Sequence, residues 1–245
     1  RRQQILADVA HELRSPVATL KTMAEALRDG VAESPERRHR ALTVMVDTSD
    51  RMEHLLRDLL ELARLDMHEL PIQSTSVDMA GIAEDCVLRH AAAAERARIR
   101  LLPVEASGPA MVEGDSHRLA QVLDNLLDNA LSYAGAEALV TVRVLKGLEA
   151  VTVEVADTGR GIAAKHLPFL FDPFYRVDAV RTPGDHHSGL GLRIAAGLVR
   201  AHGGTLSIES EEGAGTTASV VLPAIQGASP PRDDAAQKPI GSCAA

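Results

Sequence analysis

The chain has 245 residues, a formal net charge of -8 and 45% hydrophobic residues, enough to build two modest cores. Only 2% of the residues are aromatic and tryptophan is absent, so the acidic balance and the lack of stacking rings argue against a nucleic-acid surface. The two cysteines, Cys86 and Cys243, form no metal cluster or disulfide framework, and no apolar run reaches transmembrane length, so direct membrane contact is not expected of these residues.

The first predicted element is a long amphipathic helix over 2 to about 31. Its apolar positions Leu6, Ala10, Leu13, Val17, Leu20, Ala24, Leu27 and Val31 alternate by four and three. His11 falls beside that seam and is expected to be accessible, with Pro16 kinking or loosening the helix just beyond it. Ser34-Pro35-Glu36 supplies a cap, a proline at the first helical position and an early acid for a second helix continuing to about Leu70. Its expected seam is Leu42, Met45, Ser49, Met52, Leu56, Leu59 and Ala63. The short connection makes an antiparallel hairpin, and the flanking apolar residues Leu55, Leu60 and Leu62 call for dimerisation into a four-helix bundle.

Pro71 breaks the helical run, and the pattern turns to mixed α/β. Helices are expected over 79 to 95 and over 116 to 134, the latter capped by Asp115, with a short strand over 98 to 102 between them. Two alternating stretches at 140 to 146 and 150 to 157, separated by Gly147-Leu148, read as a hairpin with one buried face. A loop at 184 to 189 leads into a helix over 190 to 201, which His202-Gly203-Gly204 ends before strands over 205 to 210 and 216 to 222. The division expected is a helical domain over 1–70, an α/β domain over 71–225 and a disordered tail over 226–245.

Three elements of the α/β domain carry chemistry. Asn125 and Asn129 lie four apart on one helix face, where they either cap a neighbouring loop or offer oxygen ligands to Mg²⁺. In DTGRGI, Asp157 ends a strand, and Gly159 and Gly161 allow a tight turn with little bulk beside a ligand; an ordinary strand-to-helix turn has the same letters. SGLGLRIA puts Gly189 and Gly191 at a helix start, where free N–H groups can receive phosphate oxygens.

In family order, HELRSPVATL resembles a phosphoacceptor box, QVLDNLLDNA an asparagine box, DTGRGI a first glycine box, FDPFYR a phenylalanine box and GLGLRIA a second glycine box. The chain is thus similar, over roughly residues 3 to 223, to the catalytic core of bacterial sensor histidine kinases. The resemblance implies a multidomain α and α+β protein: a dimerising phosphoacceptor hairpin followed by a two-layer α/β sandwich of the gyrase, Hsp90 and histidine kinase type. It implies ATP and Mg²⁺ as cofactors, with Asn129 as the principal metal ligand and Asn125 assisting. Asp157 would accept the adenine amino hydrogen, while Gly159 and Gly161 let the backbone approach the base. Gly189, Leu190, Gly191 and Leu192 would lie near the phosphates.

By the same resemblance His11 is the phosphorylated histidine, Glu12 its acid–base partner, and Ser15 a small polar residue able to position water for regulator dephosphorylation. A solvent-facing histidine, a salt-bridging glutamate and a solvent-facing serine are the plain alternatives. Phe171, Phe174, Tyr175 and Arg176 belong to the hinge of a lid over 177–188, with packing an equal reading for the two phenylalanines. Ser132 stands where relatives commonly carry a phosphate-reaching cation, a duty that Arg176 or Arg181 can take, and His186-His187-Ser188 replaces a stretch often richer in glycine. The partners implied are a second copy of the chain and the receiver domain of a response regulator, with an upstream sensor or signal-transmission region absent from these residues. The expected setting is the cytoplasmic portion of a membrane-anchored bacterial sensor kinase. A non-catalytic dimeric scaffold and an ATP hydrolase are the competing readings.

Overall fold

The computed structural model describes residues 2–32, 34–67, 71–177 and 188–225. The expected tail, most of the expected lid including Arg181, His186 and His187, and the side chain of His11 lie outside the described residues.

Helix α1, Arg2–Arg28, and helix α2, Pro35–Asp66, form the helical hairpin. Ser34 caps α2 by accepting the Arg37 N–H at 3.2 Å, and Pro35 stands at its start. Pro16 is buried inside α1, which continues past it to Arg28; Val31 lies beyond the helix and is exposed. The α2 seam needs correction. Its buried residues are Ala41, Thr48, Leu55 and Leu62, repeating every seven residues, whereas Leu42 and Leu56 of the expected seam are exposed. Leu55 and Leu62 join the main hydrophobic core, so the buried face of α2 is set by packing against the α/β domain as well as against α1. The helix also ends at Asp66, with Met67 as its cap, before the expected limit at Leu70.

The α/β domain starts with β1, Thr75–Asp78, followed by α3, Met79–Ala97, β2, Arg100–Leu101, and β3, Glu105–Ala106. Then come β4, Met111–Gly114, α4, Ser116–Tyr133, β5, Leu139–Lys146, and β6, Ala150–Asp157. A 3₁₀ turn, Leu167–Phe169, precedes α5, Gly191–Ala201, β7, Thr205–Glu211, and β8, Gly215–Pro223. The main sheet runs β2-β5-β6-β8-β7, with β3 also pairing β5; β2 and β3 lie parallel to β5 and the other pairs are antiparallel. Val140, Val142, Val144, Val151, Val153 and Val155 face the layer of α3, α4 and α5, while the opposite face carries the Arg143–Glu154 ion pair at 3.4 Å. Strands β1 and β4 form a separate antiparallel pair that the sequence reading missed, and Arg98, expected in a strand, is the left-handed cap of α3 at φ 57°.

Side-chain clasps hold the layer together. Asp115 caps α4 by accepting the N–H groups of His117 and Arg118, and its own N–H donates to His202 Nε2 at 3.0 Å. His202 donates through Nδ1 to the Leu198 carbonyl, so one ring ties the end of α5 to the start of α4. Arg89 on α3 holds both oxygens of Asp124 on α4, at 2.8 and 3.0 Å. His90 faces acceptors through both nitrogens, the Cys86 carbonyl at 2.8 Å and Asp128 Oδ1 at 3.2 Å, which only the doubly protonated ring can satisfy. The Asp128 hydrogen bond accordingly pushes the His90 pKa up, against the pull of burial.

A raised histidine pKa gives stability that is complete below the unfolded value, near 6.5, and is lost as pH rises through the folded value. The unfolding midpoint of the unmodified protein is expected to fall relative to that of His90→Gln as pH rises above about 6.5. Parallel midpoint curves for the two proteins would remove the charged clasp.

Candidate active site

Helix α4 turns seven apolar residues, Leu119, Val122, Leu123, Leu126, Leu127, Ala130 and Leu131, into the core. Its other side edges a cleft that opens to solvent. Asn125, Asp128 and Asn129 stand along that edge. The floor is the sheet: Val155 and Asp157 of β6, Thr216 and Ala218 of β8, and Ile208 of β7, residues that the strand register sets side by side. Arg160, Gly161, Tyr175 and Arg176 form the far wall, and Ser188, Gly189, Gly191 and Leu192 stand at the start of α5. The Arg160 guanidinium lies over the Tyr133 ring at 5.5 Å, and Tyr175 contacts His166 through its hydroxyl at 2.6 Å.

Asp157 lines this cleft, half-buried. Burial pushes its carboxyl above the usual range, partly offset by the backbone N–H groups of Gly159 and Thr216; the Gly159 bond measures 2.8 Å. A half-buried carboxylate with two backbone donors still has lone pairs for an N–H donor from a ligand. Asn125 has the complementary character: its amide nitrogen is buried without a hydrogen-bond partner among the described residues and can donate to an oxyanion. The amide also lies beneath the first residue of α5, since a Cβ at Gly191 would be 3.5 Å from Asn125 Oδ1.

Of the residues expected to bind cofactor, Asn125, Asn129, Asp157, Gly161, Arg176, Gly189, Gly191 and Leu192 line the cleft together. Gly159 packs against α4, where a Cβ would stand 2.4 Å from Ala134 Cα, and the Leu190 side chain is fully buried in the core. Gly161, at φ +64°, meets the β7–β8 turn, its Cβ position only 1.8 Å from the Glu211 carbonyl oxygen. Glu12 is half-buried and Ser15 exposed on α1; neither lines the cleft. Phe174, at φ 63°, packs against the core and donates its N–H to the Gly189 carbonyl at 3.0 Å.

The sequence reading missed Tyr133, Arg160, Thr216 and Ala218, although strand parity from Asp157 offered a signal for the two β8 residues. It also missed His54 and Asp58, which reach the cleft from α2. No pattern in the α2 sequence singles them out, because their place depends on how the hairpin docks.

Two family models match the chain, the His Kinase A (phospho-acceptor) domain over residues 1–68 and the histidine kinase-, DNA gyrase B- and HSP90-like ATPase over residues 114–226. The chain belongs to the sensor histidine kinase family. Within that family it is 32% identical over 222 residues to the sensor protein SrrB of Staphylococcus aureus strain N315. That match covers 91% of this chain, which spans 38% of SrrB's length. The Acinetobacter baumannii histidine kinase AdeS shares the fold, with a TM-score of 0.73 at 22% identity over 87% of this chain and 97% of that one. Full-length ShkA in complex with AMPPNP superposes with a TM-score of 0.70 at 27% identity, covering 93% of this chain and 47% of that one. These matches make the domain pair a phosphoacceptor domain and a nucleotide-binding ATPase domain, and no described helix is long and apolar enough to cross a membrane.

The glycines separate packing from binding. Gly161→Ala forces a side chain into backbone at positive φ and is expected to cost roughly 2 kcal/mol or more of stability. Gly191→Ala meets only ordinary contact and should leave stability within about 0.5 kcal/mol. Urea unfolding of both variants checks this; equal losses would contradict it.

Proposed function

We propose that this kinase core transfers the γ-phosphoryl group of ATP to His11 and then to an aspartate of a response regulator's receiver domain. The observation that carries the reading is the convergence of Asn125, Asn129, Asp157, Arg176, Gly189 and Gly191 in one cleft beside the phosphoacceptor hairpin. Asp157 accepts the adenine amino hydrogen, its buried carboxylate having lone pairs to spare. The Asn125 amide nitrogen donates to a phosphate oxygen, which removes its isolation in the cleft. Arg176, also in the cleft, supplies phosphate charge where Ser132 cannot, and the loop Gly189-Leu190-Gly191-Leu192 brings the start of α5 to the phosphates.

The oxygens of Asn129, with Asn125 assisting, suit Mg²⁺, a cation that favours oxygen ligands beside substrate phosphates and neutralises their charge. A neutral ring nitrogen of His11 forms the N–P bond as the bond to the bridging oxygen breaks and ADP leaves, while Glu12 takes the other ring proton. An amide at Asn125 cannot act as a base toward water, which favours transfer over hydrolysis. Ser15, exposed and one turn beyond His11, is suited to orient a water against the phosphorylated regulator, giving a phosphatase activity. ShkA, similar to this chain, binds AMPPNP in its own structure.

A homodimer accounts for the exposed Leu42, Val46, Leu56 and Leu60, which lie on one heptad stripe of α2, and for Met67 at its cap; a second hairpin covers them in a four-helix bundle. The domains divide near residue 70, and the molecule is the cytoplasmic part of a membrane-anchored sensor that takes input from an upstream region.

The deciding experiment measures phosphate incorporation from γ-labelled Mg-ATP into the unmodified chain and into His11→Gln. An acid-labile, alkali-stable label confined to the unmodified chain is the expected result. ATP binding and dimerisation without label would instead leave a non-catalytic scaffold.

A further inference from the structure

Helix α2 reaches the phosphate end of the cleft through Asp58. Asp58 Oδ2 accepts the Ser188 hydroxyl at 2.8 Å, and Ser188 Oγ accepts the Leu190 N–H at 3.2 Å, so the carboxylate stands one hydroxyl away from the first turn of α5. Its side chain is only 14% exposed, and His54 Nε2 stands 3.7 Å from it. Burial pushes the Asp58 carboxyl up, with His54, Ser188 and Arg57 pulling the other way.

The rest of α2 keeps the carboxylate there. Glu61 binds Arg118 at 2.6 Å and accepts from the Gln121 amide, Asp66 pairs with Arg193 at 3.1 Å, and Leu65 lies over Gly197. Leu55 and Leu62 are buried in the main core. Docking thus holds an acidic side chain in the lining of the cleft, against Ser188 at the start of α5.

We infer that Asp58 is a built-in occupant of the terminal-phosphate position, so that the docked hairpin and the γ-phosphate of a nucleotide exclude one another. The inference rests on the nucleotide reading above. A carboxylate and a phosphate repel and compete for the Ser188 hydroxyl beside the start of α5. By linkage, ATP loosens the α2 contact as far as that contact weakens ATP, and ADP, lacking the third phosphate, has less leverage. Binding of ATP then releases the hairpin that carries His11, and its conversion to ADP lets Asp58 return.

Dissociation constants for Mg-ATP and Mg-ADP, measured on the unmodified chain, Asp58→Asn and Glu61→Arg, test this. Asp58→Asn keeps an acceptor for Ser188 and removes the charge; ATP should bind roughly three- to tenfold more tightly and ADP by less than about twofold. Glu61→Arg sets like charge against Arg118 and lifts α2 without touching the cleft, so it should give the same bias toward ATP. An unchanged ATP-to-ADP ratio in both variants, or an equal gain for the two nucleotides, overturns the inference. The expected bias without label on His11 would remove the kinase reading and leave the inference standing. If neither nucleotide binds to any of the three proteins, both fall.

Discussion

The structure depends on one helix serving two solvents. Along α4, five leucines and Val122 leave water for the sheet while Asn125, Asp128 and Asn129 remain at the edge of an open cleft. The apolar side alone leaves little freedom of rotation: a turn about the helix axis that exposed Leu123 or Leu127 would cost on the order of 2 kcal/mol for each side chain. The same burial therefore fixes the direction of the two asparagines. The clasps from α3 to Asp124 and Asp128, and from His202 to the cap at Asp115, prevent the helix from sliding along its axis.

The polar cleft inherits its precision from this packing. Asp157 is at the end of a strand whose register with β8 brings Thr216 opposite it, and Gly161 locks the following turn against Glu211. The Gly213 N–H donates to the Arg160 carbonyl at 2.7 Å, and Ser210 accepts the Ile162 N–H at 2.8 Å, adding two more ties between the same loops. Glycine at 159 and 161 is thus required by backbone meeting backbone, whatever else approaches the site.

Legibility in the sequence followed the strength of each local pattern. Helix α4 and the β5–β6 hairpin could be read closely because each has one strongly apolar face at its own period and a recognisable stop at Asp115 or Gly147. Strands β1 and β4 escaped because four residues hold too few alternations to stand out. Helix α2 misled for the opposite reason: apolar residues occur on several faces, and the choice of Leu55 and Leu62 over Leu56 is made by a domain distant in sequence. The binding residues on glycine turns and on α4 were legible as motifs, whereas Asp58 and His54 entered the site only through docking.

The ties around Gly161 also divide the cleft mechanically. The Asp157 end is built wholly within the ATPase domain and braced where the loop after β6 meets the β7–β8 turn, while the α5 end is completed by a side chain from another domain. The cleft resembles a caliper with one jaw fixed and the other adjusted by a contact from the hairpin. A shift of α2 relative to the ATPase domain therefore alters the polar contacts at the α5 jaw while the Asp157 jaw keeps its shape.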